Sequence, residues 1–140
     1  MTYTAIIRKS EGTYLVNFPD FPHIHTYGET AKEAFKNARE ALNGCLEADF
    51  ERGFRLPALS KKAPKNGHPV EVEPHIFLAY QLRKIRNGLS QTEIARKLGI
   101  SYQAYQKLEN PRKCNPTVQT LERISEVLNK TMVISFKNYS

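Results

Sequence analysis

A chain of 140 residues, 40% hydrophobic and 25% charged, is long enough for one domain or two small ones. No run approaches the roughly 20 apolar residues of a membrane span, and no charged-then-apolar leader opens the chain, so a soluble, cytoplasmic protein is expected. The formal net charge of +7 is uneven: residues 1–60 hold seven Lys and Arg against eight Asp and Glu, while residues 75–140 hold eleven against four, which favours two units of which the second meets a polyanion.

From Thr2 to Arg8 the chain alternates loosely with β-branched and aromatic residues, Glu11-Gly12 signals a turn, and Thr13 to Phe18 reads as the second strand of a hairpin. Pro19-Asp20-Phe21-Pro22 breaks the ladder because neither proline can donate a hydrogen bond, and His23 to Tyr27 makes a short third strand. Thr30 then caps a long helix, with Glu33 completing a capping box and Gly53 ending it. The helix stripe of Ala34, Phe35, Ala38, Ala41, Leu42, Cys45 and Leu46 is spaced to cover one face of the sheet. After a Pro- and Lys-rich connection, Val70 to Glu73 is expected as a short edge strand between Pro69 and Pro74. Nothing in the chain covers the other sheet face, for which Tyr3, Tyr14, Tyr27 and Phe18 supply aromatics, though some of these must be core. A protein partner or solvated polar residues fit that face. Phe18, Asp20, Phe21 and Tyr27, clustered at the break between strands two and three, are the expected partner contacts.

The chemistry of an enzyme is sparse here. Strands one and two carry no Asp or Glu, and Glu33, Glu40 and Glu47 recur every seven residues along one helical stripe, which reads as a solvated face rather than a two-metal centre. His23 and His25 project to one side of a strand, with no third ligand of matching spacing nearby, so they read as surface residues and no metal or cofactor is expected. Cys45 and Cys114 form no C-x-x-C pair and read as reduced thiols. No residue is assigned to catalysis.

A helix begins near Pro74, and Gln91 to Asn110 follows a helix-turn-helix register. Ile94, Ala95 and Leu98 line the first helix, Gly99 takes the sharp corner, Ile100 plugs it, Ser101 caps the second helix, and Tyr105 and Leu108 face inward. Tyr102, Gln103, Gln106 and Lys107 point outward on a surface with no Asp or Glu from Gly99 to Leu108. In the DNA major groove, Gln favours adenine and Lys guanine, each good pairing discriminating by about 1–3 kcal/mol. Gln91 begins the first helix near a phosphate, and Asn110, Arg112 and Lys113 are placed to clamp the backbone. Arg83 and Arg86 suit either further phosphate contacts or a solvated helix surface. A last helix over Thr117 to Asn129 packs Leu121, Ile124 and Leu128 inward, and Met132 to Phe136 then reads as a strand with no sheet to join. Pairing of Met132, Val133, Ile134 and Phe136 with a second copy would hide two edges at once and give the homodimer that operator recognition needs, with a tetramer left open.

The run Gly12 to Asp20, the string Tyr27-Gly28-Glu29-Thr30 before an Ala-rich helix, and Val70-Glu71-Val72 leading into a helix resemble the HicB family of antitoxins over nearly the whole chain. Leu89-Ser90-Gln91 and Asn115-Pro116-Thr117 are similar to phage-repressor and Xre-type regulators. The resemblance implies an α+β protein: a β-β-β-α-β partial ribonuclease-H-like domain over residues 1–73 that binds and blocks a HicA-like mRNA interferase, then a helix-turn-helix domain with a C-terminal strand over residues 74–140 that represses the operon. A free-standing regulator with a ligand-sensing N-terminal unit is the alternative, and a ribonuclease-H-like nuclease a lesser one.

Overall fold

The computed structural model describes residues 1–60, 64–86 and 88–138, so residues 61–63 of the Lys-rich connection, residue 87 and the last two residues lie outside it. Strands β1 (Thr2–Ser10) and β2 (Thr13–Phe18) form the expected hairpin, its two-residue turn closed by positive φ at Glu11 (50°) and Gly12 (80°). β3 (Phe21–Gly28) is longer than expected and includes Pro22. The sheet order β3-β2-β1-β4 puts β3 at an edge, where a missing N–H costs no ladder bond. The other edge is β4 (Gly67–Glu71), which starts three residues before the expected strand and likewise carries its proline, Pro69. All neighbouring strands are antiparallel.

Helix α1 (Ala31–Glu51) starts at Thr30, whose side chain accepts from the Glu33 N–H at 3.1 Å. Gly28 is needed just before it, because a Cβ there would lie 2.3 Å from the Ala34 nitrogen. Ala34, Ala38, Leu42 and Leu46 bury the helix against Tyr3, Ala5, Val16, Phe18, Phe21, Ile24 and Val70. Tyr3 and Phe18 are therefore core, and Tyr14 packs against that core. Of the four aromatics only Tyr27 remains on the face away from α1, which is bare among the described residues. The reason is parity: alternate residues of β1 and β2 point at α1, and these three fall in that phase.

α2 (Pro74–Ile85) follows β4 directly. Its start is pinned by buried Asn43 of α1, which donates to the carbonyls of Arg39 and Glu71 and accepts from the Glu73 N–H at 2.8 Å. Ile76 and Tyr80 of α2 join the sheet core, whereas Leu78, Leu82 and Ile85 join a second cluster with α3 (Gln91–Leu98), α4 (Tyr102–Leu108) and α5 (Val118–Val127). This helix therefore serves both cores. Residues 131–138 form no strand within the chain, for the reason evident in the sequence: the helical unit offers no sheet edge, and an unpaired strand has no ladder to fix it.

Candidate nucleic-acid interface

α3 and α4 meet at the register expected of a helix-turn-helix. Ser90 caps α3 by accepting from the Glu93 N–H at 3.0 Å, and Ser101 caps α4 by accepting from the Ala104 N–H at 3.0 Å. Between them Gly99 adopts φ 71°, ψ 28°, the left-handed corner that disfavours a side chain, and its N–H returns to the end of α3. Ile94, Ala95, Leu98 and Tyr105 are buried with Ile124 of α5, while Ile100 and Leu108 pack at their rim.

The outward side of α4 is open. Tyr102, Gln103, Gln106 and Lys107 are exposed, and Gln106 donates to the Tyr102 hydroxyl at 2.9 Å, an i,i+4 contact that orients both polar groups along the helix. Ser101, expected from sequence both to cap α4 and to contact DNA, is exposed, but its hydroxyl is held by the cap. Asn110 accepts from the Arg112 N–H at 2.9 Å and so shapes the turn after α4, beyond which Lys113 is exposed. The site thus presents two amides, a phenol and cations with no carboxylate among them, the donor set that major-groove edges and phosphates accept.

Gln91 and Arg112, expected at phosphates, and Arg83 and Arg86, for which phosphate contact or a solvated surface was open, are all occupied within the fold. Gln91 donates to Glu109 at 3.3 Å. Arg86 grips the same carboxylate with Nε at 2.7 Å and Nη2 at 3.1 Å. Arg83 caps the end of α1 by donating to the carbonyls of Phe50 (3.0 Å) and Phe54, with its guanidinium stacked 4.0 Å above the Phe50 ring. Arg112 turns away from α4 to the C-terminal half of α1, 3.3 Å from Glu47 and 2.8 Å from Glu51. Position along one helix does not show that acceptors from other elements lie within reach of an arginine.

On the sheet unit, Phe18 and Phe21 are each 1% exposed and stack edge-on with centroids 6.3 Å apart. They hold the β2–β3 break from beneath and cannot touch a partner, which corrects their expected role. Asp20 accepts from the Ser60 hydroxyl and anchors the segment after α1. The bare face instead presents Tyr27, 61% exposed, beside Leu15, 38% exposed, its direct cross-strand neighbour, with Arg8 opposite Leu15 on β1. Leu15 was legible in the alternation of TYLVNF as the outward phase between Tyr14 and Val16. His23, read from spacing as lacking further ligands, is brought by the packing of β3 on α1 to 3.2 Å from Cys45, which contacts Asp49 at 3.6 Å. Met132, Val133, Ile134 and Phe136 follow α5 without a partner segment among the described residues, Phe136 being 96% exposed.

Residues 2–73 match the family described as HicB-like antitoxin of bacterial toxin-antitoxin system, and residues 80–134 match a helix-turn-helix family. The chain is 32% identical over 104 residues to Antitoxin HicB of Escherichia coli K12, covering 71% of this chain and 73% of that protein. It is 24% identical over 128 residues to Antitoxin HicB 1 of Photorhabdus laumondii, covering 91% and 81% respectively. The crystal structure of the N-terminal domain of Burkholderia pseudomallei antitoxin HicB is 31% identical, covering 52% of this chain and 99% of that one with a TM-score of 0.46. With more than half of its length matched by the family and a relative above 30% identity spanned over most of its length, the chain belongs to the HicB-like antitoxins and carries a helix-turn-helix DNA-binding domain.

Proposed function

We propose that this antitoxin neutralises a HicA-like mRNA interferase through its sheet unit, residues 1–73, and represses its own operon through residues 74–140, acting in the cytoplasm as a dimer. The observation that carries the reading is the exposed, carboxylate-free face of α4, set on a capped corner in a chain whose other half is an antitoxin unit. The four-stranded antiparallel sheet with one helix on one face fits the partial ribonuclease-H-like arrangement of the family resemblance. Its face away from α1 suits an inhibitor of a basic, RNA-handling protein: the Leu15–Tyr27 pair gives apolar contact, and residues 1–73 balance ten Lys and Arg against ten Asp and Glu, so the unit lacks the positive excess of residues 75–140 that would repel such a partner. A nuclease reading finds no support in the helix acids, since Glu33 and Glu40 are exposed and Glu47 pairs with Arg112.

The test separates the two halves. Co-expression with the adjacent small basic protein is expected to give a complex that co-purifies and rescues growth. Leu15→Asp combined with Tyr27→Ala should abolish both while leaving operator binding unchanged. Operator binding without any toxin partner in the neighbouring gene would instead indicate a free-standing regulator, and loss of neither activity in the double variant would remove the sheet face from the toxin site.

A further inference from the structure

We propose that His23, Cys45 and Asp49 form a binding site for a tetrahedral divalent metal ion of the zinc class, which joins edge strand β3 to the C-terminal half of α1. Cys45 and Asp49 are four residues apart on one face of α1, and the strand packed against that face supplies His23. Cys45 stands between the other two, its sulfur 3.2 Å from His23 Nε2 and 3.6 Å from Asp49 Oδ2, and all three ligand atoms lie within 4.8 Å of one another.

These separations fit the ion. Bonds of about 2.3 Å to sulfur and about 2.0–2.2 Å to nitrogen and oxygen put tetrahedral ligand atoms roughly 3.4–3.6 Å apart. The two contacts through sulfur already meet that spacing within a few tenths of an ångström. The His23–Asp49 edge closes by rotation of an exposed imidazole and a terminal carboxylate. Asp49 is oriented for it: Oδ1 faces Arg52 at 3.9 Å, and Oδ2 faces the thiol. The ring of Phe21, edge-on to His23 with centroids 6.4 Å apart, supports the imidazole from the core side.

The donor set chooses the class. Thiolate and imidazole are too soft for magnesium or calcium, which take oxygen ligands, whereas one sulfur, one nitrogen and one oxygen suit zinc or cobalt. A thiolate and a carboxylate together neutralise the dication. Exposure of His23 leaves the fourth position to water. Metal-free, the same groups form a hydrogen-bonded chain in which the thiol donates to Asp49. Binding releases that proton and clamps the strand end beside the β2–β3 break, so the metal stabilises the sheet unit by linkage to folding.

The experiment is titration of the metal-free, reduced full-length protein with Co²⁺. One equivalent should give a thiolate-to-cobalt charge-transfer band in the near ultraviolet with tetrahedral d–d bands in the visible, displaced by Zn²⁺. Cys114→Ser and His25→Ala should retain the spectrum. Cys45→Ser should remove the charge-transfer band, and His23→Ala or Asp49→Asn should weaken binding by more than about tenfold. Absence of the band in the wild-type protein, or its persistence in Cys45→Ser, overturns the site. Since the Cys114→Ser protein keeps all three ligands, a folding defect in the other variants does not block the test, and toxin and operator play no part in it.

Discussion

At the scale of single residues, the helix-turn-helix is fastened by a charge that sequence reading passed over. Glu109 is 4% exposed and accepts hydrogen bonds from Arg86 and Gln91, joining the end of α4 to the end of α2 and the start of α3. Burial opposes the Arg86 charge, and the hydrogen bonds and field of Glu109 outweigh it, so the guanidinium is held above its usual range. Removing one member of such a pair strands the other. Glu109→Ala should therefore cost about 3–5 kcal/mol, read as a lower urea midpoint, whereas Arg86→Met with Glu109→Met should lose much less than the sum of the single changes. An additive double variant would show that the two are not coupled. The adjacent Tyr105 behaves oppositely. Its ring is wholly buried, and its hydroxyl has no hydrogen-bond partner among the described residues. Burial and then the neighbouring Glu109 carboxylate push the phenol far above its ordinary range. Tyr105→Phe removes a desolvated hydroxyl that lies beside Glu109 and Arg86 without a well-formed hydrogen bond among the described residues, and it keeps the ring, so stability should hold or rise. A fall of more than about 1 kcal/mol would mean that the hydroxyl is satisfied in solution.

At the scale of elements, α4 should read bases and its flanks should not. Gln103→Ala and Gln106→Ala are each expected to weaken operator binding by about 1–3 kcal/mol with little effect on non-specific DNA. Lys113→Ala should weaken both alike and lower the salt slope by roughly one unit. Arg112→Ala should leave that slope nearly unchanged, because its guanidinium serves Glu47 and Glu51. A full unit lost with Arg112 would show that it leaves α1 when DNA binds. These contrasts also mark what the sequence made legible. The caps at Thr30 and Ser101, the corner at Gly99 and the inward Tyr105 follow from spacing within one or two turns, and each stands where the pattern puts it, while the caps at Ser90 and Thr117 emerge only in the structure. Contacts over long separations carry no such mark. Asn43 is one polar helix residue among several in the sequence and takes its role only where β4 and α2 close on it, and Arg83, Arg86 and Arg112 find their acceptors on other elements. His23 and Cys45, 22 residues apart, are adjacent only because β3 lies along α1.

At the scale of the whole molecule, the last described segment is the least satisfied. Val133 is 81% exposed, Ile134 53% and Phe136 96%, three large apolar side chains within four positions of an extended stretch that no strand of its own unit can pair. Leaving them in water forgoes roughly 1.5–3 kcal/mol each, more than a tail without a role retains at such density. Two-fold pairing of the segment with its copy satisfies the facing edge of each backbone and buries the same side chains twice, while the outer edges stay available to the further pairing that a tetramer would use. It also fixes two α4 helices relative to each other, which a palindromic operator with half-sites about 34 Å apart demands. Deletion of residues 131–140 should therefore convert a dimer to a monomer in sedimentation equilibrium at micromolar concentration. Operator affinity should collapse while toxin co-purification stays intact, because the sheet unit shares no core residue with the tail. Phe136→Asp with Ile134→Lys should reproduce the deletion without shortening the chain. A wild-type protein that sediments as a monomer, or a truncated one that still sediments as a dimer, would place the dimer contact elsewhere.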